Sequence, residues 1–215
     1  HIVLENEPNN LIKKEILDPY EKRLNSINRI QFQRNQIMSV LQEFEPEDYI
    51  FYSDNDEIPN LKNFDLKNIK KKFIIFNQQM FYYKFNLSLP NLNWFGSKAC
   101  KLKYLKDIDF LRNIKNREYS YFRFDTLFSR HKQNSVKIIE NGGWHFSNLK
   151  SPINIENKLK SYLHHRDFEV ENIDLKEISK LMKNNETIYD MFADKTEKKF
   201  SENKKKLSLY PKNDL

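Results

Sequence analysis

Glycine is scarce in this chain. Its 215 residues include 3 glycines, against about fifteen at an average share of roughly 7%. Each one therefore marks a backbone position where a Cβ would clash or φ is positive. Cysteine is scarcer still: Cys100 stands alone, which excludes an internal disulfide and a cysteine-rich zinc site. A reducing compartment is compatible with that usage. No apolar run approaches the roughly 18 residues of a membrane span, and no signal peptide is visible at this start. A cytoplasmic location is the expectation if the full chain carries no leader or anchor.

What is abundant is charge and aromatic surface. Charged residues make up 31%, with Lys+Arg 37 against Asp+Glu 30, a net +7 and a pI near 9.2. That balance favours acidic partners, among them nucleic acid, anionic lipid and nucleotide phosphates. The aromatic share of 14%, with 17 Phe and 11 Tyr, argues against wholesale disorder although only 39% of residues are hydrophobic. The length suits one domain, or a domain and a tail.

The pattern along the chain reads as strands alternating with helices, hence an α/β domain. Residues 2 to 5 read as a strand already under way, so a domain lacking its N-terminal strands is expected. A polar stretch to about Asn28 reads mostly as loop with a short helix. Ile37, Val40, Leu41 and Phe44 repeat at helical spacing from Phe32, placing Arg34 near a helix start, where it is a solvated charge or a phosphate ligand. Tyr49 to Tyr52 reads as a buried strand. A short helix carrying Leu61, Phe64 and Ile69 follows, ending at Lys70, Lys71 and Lys72. Phe73 to Leu89 reads as one long bent strand or two shorter ones. Leu102, Leu105, Ile108 and Leu111 indicate a helix, Val136, Ile138 and Ile139 a strand, and Ile153 to Leu163 and Ile173 to Met182 further helices. The Lys-rich end after Phe192, with Lys198, Lys199, Lys204, Lys205 and Lys206, reads as a frayed appendage. The organisation expected is a domain over 1–192 and a basic tail over 193–215.

Two constellations carry chemistry. The first is Ser53-Asp54-Asn55-Asp56-Glu57-Ile58-Pro59 at the end of the hydrophobic run. Side chains alternate along a strand, so Asp54 and Asp56 are expected on one side, able to reach one cation. A Mg²⁺-like ion takes one or two carboxylates and leaves other positions to water and phosphates. The competing explanation is that such residues stabilise turns and cap helices. A calcium loop is excluded, because Pro59 and Asp65 stand where its Gly and Glu would be. A two-metal nuclease would need further carboxylates, and only Glu57 is close in sequence. The second constellation gathers all three glycines and both tryptophans: Trp94-Phe95-Gly96-Ser97 and Gly142-Gly143-Trp144-His145-Phe146-Ser147. A tryptophan beside glycine can offer a ring face to a sugar or a base, or can fill a core beside a tight turn. His145 is either a structural histidine or a further metal ligand. Adjacent His164 and His165 point apart on a helix and make no paired site.

In this order, Ser53 to Pro59, Trp94-Phe95-Gly96 and Gly142 to Ser147 resemble glycosyltransferase family 17, the β-1,4-mannosyl-glycoprotein 4-β-N-acetylglucosaminyltransferases. Phe32-Gln33-Arg34-Asn35 and Lys158 to His164 are similar too, and the likeness covers roughly residues 1 to 192. Departures are Ile30, where the family has an acidic residue, and Arg166 and Asp167, which replace a usual Glu. The resemblance implies a GT-A type (Rossmann-like) fold, a UDP-GlcNAc donor, a glycan acceptor, a divalent cation (Mn²⁺ or Mg²⁺) and inversion at the anomeric carbon. On it, Asp54 and Asp56 form the Asp-x-Asp pair, with Asp56 the direct metal contact; beside that implication, His145 is a candidate for a further metal or diphosphate contact. Donor or sugar contacts fall to Arg34, Asp54, Trp94, Gly96, Gly143 and Trp144, and the candidate bases are Glu57, Asp125 and Glu140. The alternatives are a basic nucleic-acid-binding module, whose lysines lack regular aromatic interleaving, and a transferase-like fragment that binds without turnover. No stable nucleic-acid partner is expected.

Overall fold

The computed structural model describes residues 3–62, 64–161, 173–188 and 205–210. The first regular element is α1 (Pro19–Asn35), set by a capping box: Asp18 accepts from the Glu21 N–H while the Glu21 carboxylate accepts from the Asp18 N–H. Strands β1 (Tyr49–Tyr52), β2 (Glu57–Pro59), β3 (Phe73–Tyr82) and β4 (Leu87–Lys101) follow. After α2 (Ile108–Asn113) come β5 (Val136–Ile139), β6 (Gly143–Ser147), α3 (Pro152–Ser161), α4 (Leu175–Lys183) and β7 (Ser208–Leu209). The strands form a seven-stranded sheet of order β1-β4-β3-β6-β2, with β5 on β3 and β7 on β4. The fold is mixed α/β with a mostly antiparallel sheet and few helices. The α/β expectation holds at that level, and the strand order does not identify a Rossmann-like sheet.

The chain divides into two compact units, and β3 and β4 each contribute to both. The first comprises His1–Asp54, Asn63–Phe76 and Ser97–Ile139. Here β1 lies antiparallel to β4, Tyr49 opposite Lys101 and Tyr52 opposite Lys98, while β3 runs parallel to β5. Ile74, Phe76 and Ala99 are its buried centre, covered by Tyr49, Phe51, Phe64, Leu66, Ile69 and Ile139. Phe110 of α2 meets Phe73 edge to face at 5.7 Å. The buried Lys98 ammonium donates to the carbonyls of Arg112 at 2.8 Å and Ile114 at 2.5 Å, where α2 ends and unpaired carbonyls concentrate negative charge.

The second unit comprises Asn55–Lys62, Asn77–Gly96 and Glu140–Leu215. β6 is sandwiched between β2, antiparallel, and β3, parallel. Its core joins Met80, Tyr82, Leu87 and Leu89 to Ile155 and Leu159 of α3 and Ile178 and Leu181 of α4. The amphipathic spacing of both helices is what makes them cover the sheet.

Several expectations need correction. No strand forms at Val3–Glu5, and His1 and Ile2 lie outside the described residues. The helix expected through Ile37, Val40, Leu41 and Phe44 is absent: α1 ends at Asn35, and 3-10 turns at Gln36–Ser39 and Leu41–Glu43 follow, with Leu41 their buried residue. Arg34 therefore sits in the last turn of a helix, not near a start. The helix through Leu61 and Ile69 is reduced to a 3-10 turn at Leu66–Asn68. Only Ile108 onward of the Leu102–Leu111 stretch is α-helical. Phe73 to Leu89 holds two strands, separated at Tyr83, which takes φ 65. Part of the supposed tail is built in: β7 pairs with β4, Leu207 is in the core, and Tyr210 packs on Phe81 at 5.2 Å. Leu163, His164, His165, Arg166, Asp167, Phe192, Lys198, Lys199 and Lys204 lie outside the described residues.

Candidate functional site

The second unit assembles most of the rare residues on one face. In the β2–β6 ladder Glu57 stands opposite His145, Ile58 opposite Trp144 and Pro59 opposite Gly143. This close approach needs glycine: at Gly143 φ is +127, and a Cβ would lie 2.1 Å from the Ile58 carbonyl oxygen. Gly96 is required for a different reason. A Cβ there would fall 2.0 Å from Gln78 Oε1 and 2.6 Å from the Glu57 carboxyl carbon, so the missing side chain is the space that the Glu57 carboxylate fills.

Trp94 lies two residues before Gly96, hence on the same side of β4. Its indole N–H donates to Glu57 Oε1 at 2.9 Å, and its ring stacks on His145 at 4.4 Å with 21° between planes. Glu57 and His145 are buried. The His145 Nδ1 lies 3.7 Å from Asp56 Oδ1, and Asp56 is half exposed. That gap is too long for a hydrogen bond, but two ligands each about 2.1 Å from one ion could span it. The Asp56 carbonyl accepts from the Phe146 N–H at 2.8 Å, which ties the turn to β6.

Lys158 of α3 adds a cation. Its ammonium donates to Asn148 Oδ1 at 3.1 Å, and Asn148 Nδ2 donates to the Tyr82 hydroxyl at 2.9 Å. Burial pulls the Lys158 pKa below its ordinary value, partly opposed by the charge of Asp56. A carboxylate, an imidazole and a fixed indole are thus held together by side-chain contacts within one unit, and a partly desolvated ammonium feels the charge of Asp56.

Asp54 belongs to the first unit and has different company. β1 stops at Tyr52 and β2 begins at Glu57, with a turn at Asn55 and Asp56. The two aspartates do not share a strand, so the alternation that was to align them does not operate. Asp54 Oδ1 accepts from the Tyr52 hydroxyl at 2.7 Å and from Arg34 at 3.3 Å, and Oδ2 accepts from Arg112 at 3.2 Å. Burial pushes its pKa up, but the Tyr52 hydrogen bond and the Arg112 and Arg34 charges outweigh it and hold the group below its ordinary value. Burial, then the hydrogen bond to Asp54 and its charge, drive the Tyr52 hydroxyl the other way, well above its usual value. The cluster fastens the last turns of α1 and α2 to the end of β1.

The remaining candidates are dispersed. Asp125, in a turn at Phe124–Thr126 of the first unit, is gripped by Arg123 at 2.8 Å and Lys132 at 2.6 Å, which hold it far below the carboxylate range. Glu140, in the second unit, is exposed and accepts from Asn77 Nδ2 at 2.7 Å. Trp144 neighbours His145 on β6 and therefore projects to the opposite face, between Ile58 and Gln79. Trp94 and Trp144 do not act as a pair. Among the described residues, no three His, Cys, Asp or Glu side chains gather into a metal-holding group. Nor is any described helix long and apolar enough to cross a membrane.

Arg112, Gln78 and Asn148 escaped the sequence reading. Asn148 follows Gly142 to Ser147 directly and could have been included, while Arg112 and Gln78 carry no local signal. No family model, no curated protein and no solved structure matches the chain.

Proposed function

We propose that this chain is a metal-dependent, inverting glycosyltransferase that moves a sugar, GlcNAc by preference, from a UDP-sugar to a hydroxyl of a glycan acceptor. The reading includes a GT-A type domain, the finer form of the mixed α/β class. Its support is the resemblance to glycosyltransferase family 17 in Ser53 to Pro59, Trp94 to Gly96 and Gly142 to Ser147. The observation that carries it is the geometry of Asp56, His145, Trp94 and Glu57, which brings residues of all three motifs into mutual contact.

Asp56 and His145 would hold the divalent ion; an imidazole beside a carboxylate favours Mn²⁺ over Mg²⁺, which takes oxygen donors, with water and phosphate completing the shell. When bound, the ion neutralises charge developing on the departing diphosphate. Lys158 offers a second positive group beside Asp56 for the same anion. Of the three candidate bases, Glu57 adjoins this cluster, so the proton of the attacking hydroxyl goes to its carboxylate as the new bond forms on the face opposite the leaving group. The Trp94 N–H holds that carboxylate in place. Asp54, already committed to Tyr52, Arg34 and Arg112, acts as an anchor of its own unit.

UDP release from a panel of UDP-sugars, with and without Mn²⁺, tests this. Asp56→Asn should lose metal-dependent release by at least about a hundredfold while its circular dichroism is unchanged. Full turnover in EDTA, or in that variant, refutes the reaction. Binding of a UDP-sugar without turnover assigns the chain to the non-catalytic reading.

A further inference from the structure

The first unit exposes a cluster of large apolar side chains that the proposed chemistry does not use. Within eight residues, Tyr121 is 73% exposed, Phe122 93%, Phe124 80%, Leu127 78% and Phe128 90%. Scattered single apolar residues are ordinary on a surface, but a contiguous group of this kind marks an interaction site. All five side chains are largely exposed.

The segment is ordered from beneath. Tyr119 is buried, and three cations surround its ring: Arg117 at 4.6 Å, Arg123 at 5.5 Å and Lys132 at 5.9 Å. Asp125 ties Arg123 to Lys132, and Arg130 pairs with Asp107. Between positions 115 and 132 the sequence carries five basic side chains (Lys115, Arg117, Arg123, Arg130, Lys132) against two acidic ones (Glu118, Asp125). The apolar knobs therefore rise from a positively charged base.

Several backbone groups of the tip are satisfied by its own turns. Arg123 N–H donates to the Ser120 carbonyl, Thr126 to Arg123 and Leu127 to Phe124, at 3.0 to 3.2 Å. The Phe122 N–H donates to Ser120 Oγ at 3.3 Å, and the Thr126 hydroxyl to the Arg123 carbonyl at 2.6 Å. A loop that must leave water needs this, because a bilayer supplies no partners for loose amides.

We propose that residues 119–130 form a membrane-docking loop, which inserts Tyr121, Phe122, Phe124, Leu127 and Phe128 into the headgroup boundary of an anionic bilayer while Arg117, Arg123, Arg130 and Lys132 meet lipid phosphates. Aromatic side chains favour that boundary, and insertion by about 5–10 Å suffices to bury them. Basic residues at the rim add attraction that falls off within a Debye length.

The test is co-sedimentation of the full chain with phosphatidylcholine vesicles containing about one third phosphatidylserine. Binding is expected at about 0.1 M salt and should weaken roughly tenfold at about 0.5 M. The double change F122S/F128S should lower it about a hundredfold. Both side chains are almost fully exposed, so its circular dichroism should match the parent. As a second readout, F122W should shift its emission to the blue on adding these vesicles. Absence of vesicle binding, or equal binding by F122S/F128S, overturns the proposal. So does self-association that this variant abolishes in a chain that ignores vesicles, which assigns the loop to a second copy.

Discussion

Gly143→Ala is the sharpest test of how the β2–β6 ladder is built. At φ +127 any L side chain is strained, by about 1–3 kcal/mol. The added Cβ would also stand 2.1 Å from the Ile58 carbonyl oxygen, 2.8 Å from the Asn60 nitrogen and 3.0 Å from Pro59 Cα. All three are backbone atoms, so relief requires β2 to move bodily, at a further cost of about 1–3 kcal/mol. The two together come to about 4 kcal/mol, a large part of the 5–15 kcal/mol of a typical domain. Both tryptophans belong to the second unit, so urea unfolding followed by tryptophan fluorescence reads that unit directly. With a slope of about 2–3 kcal/mol/M, the midpoint should fall by about 1.5–2 M. Gly96→Ala should cost less, because its Cβ meets the side-chain ends of Gln78 and Glu57, which can turn away. A midpoint within about 0.3 M of the parent for Gly143→Ala, or Gly96→Ala as the worse of the two, would refute the close-approach argument.

Two further expectations concern single groups. Asp54→Asn should cost about 2 kcal/mol at neutral pH, since Arg34 and Arg112 lose their shared counter-charge. Because the folded pKa of Asp54 is depressed, its contribution is complete above the unfolded value of about 3.9 and disappears as pH falls through the folded one. Denaturation curves of the two proteins, followed by ellipticity, should therefore draw together as pH falls below about 3.9; a gap that widens there rules the assignment out. Trp94→Phe keeps a ring over His145 but deletes the N–H that Glu57 accepts. It should lower stability by about 1–2 kcal/mol and depress UDP release more than donor binding. Unaltered turnover would remove Glu57 from the proposed chemistry.

Strands were legible where burial is continuous. Phe73 to Tyr82 is covered on both faces, so its run of β-branched and aromatic residues announces itself; Val136 to Ile139 beside it is β-branched at three of four positions although only Val136 is buried. Helix α1 was not, because its sequence is polar on nearly every side, and apolar periodicity was the signal sought. The informative feature lies at its start, in Asp18, Pro19 and Glu21: an N-cap, a proline at the first position and the reciprocal carboxylate. Ile37, Val40, Leu41 and Phe44 misled for the converse reason: the spacing is helical, but Leu41 is the buried residue of those turns, and no core rewards a continuous stripe.

The glycine reading held at Gly96 and Gly143. Asn91, Asn141, Asn148 and Asn185 take the positive φ that glycine would otherwise supply. The site itself was legible as a set of residue types but not as a geometry. The Glu57–His145 register and the Trp94–His145 stack join positions far apart in sequence, and nothing local encodes them. The same distance hides the company of Asp54: its Arg112 partner sits on a helix far along the chain.

The lone sulfur has a practical side. Cys100 is wholly enclosed in β4 opposite Ile50, and burial pushes its thiol up to about 12, so an alkylating reagent finds neither access nor thiolate. Its modification rate thus counts how often the first unit breathes open, while indole emission watches the second. The native chain comes with two orthogonal probes, one for each half, and neither has to be engineered.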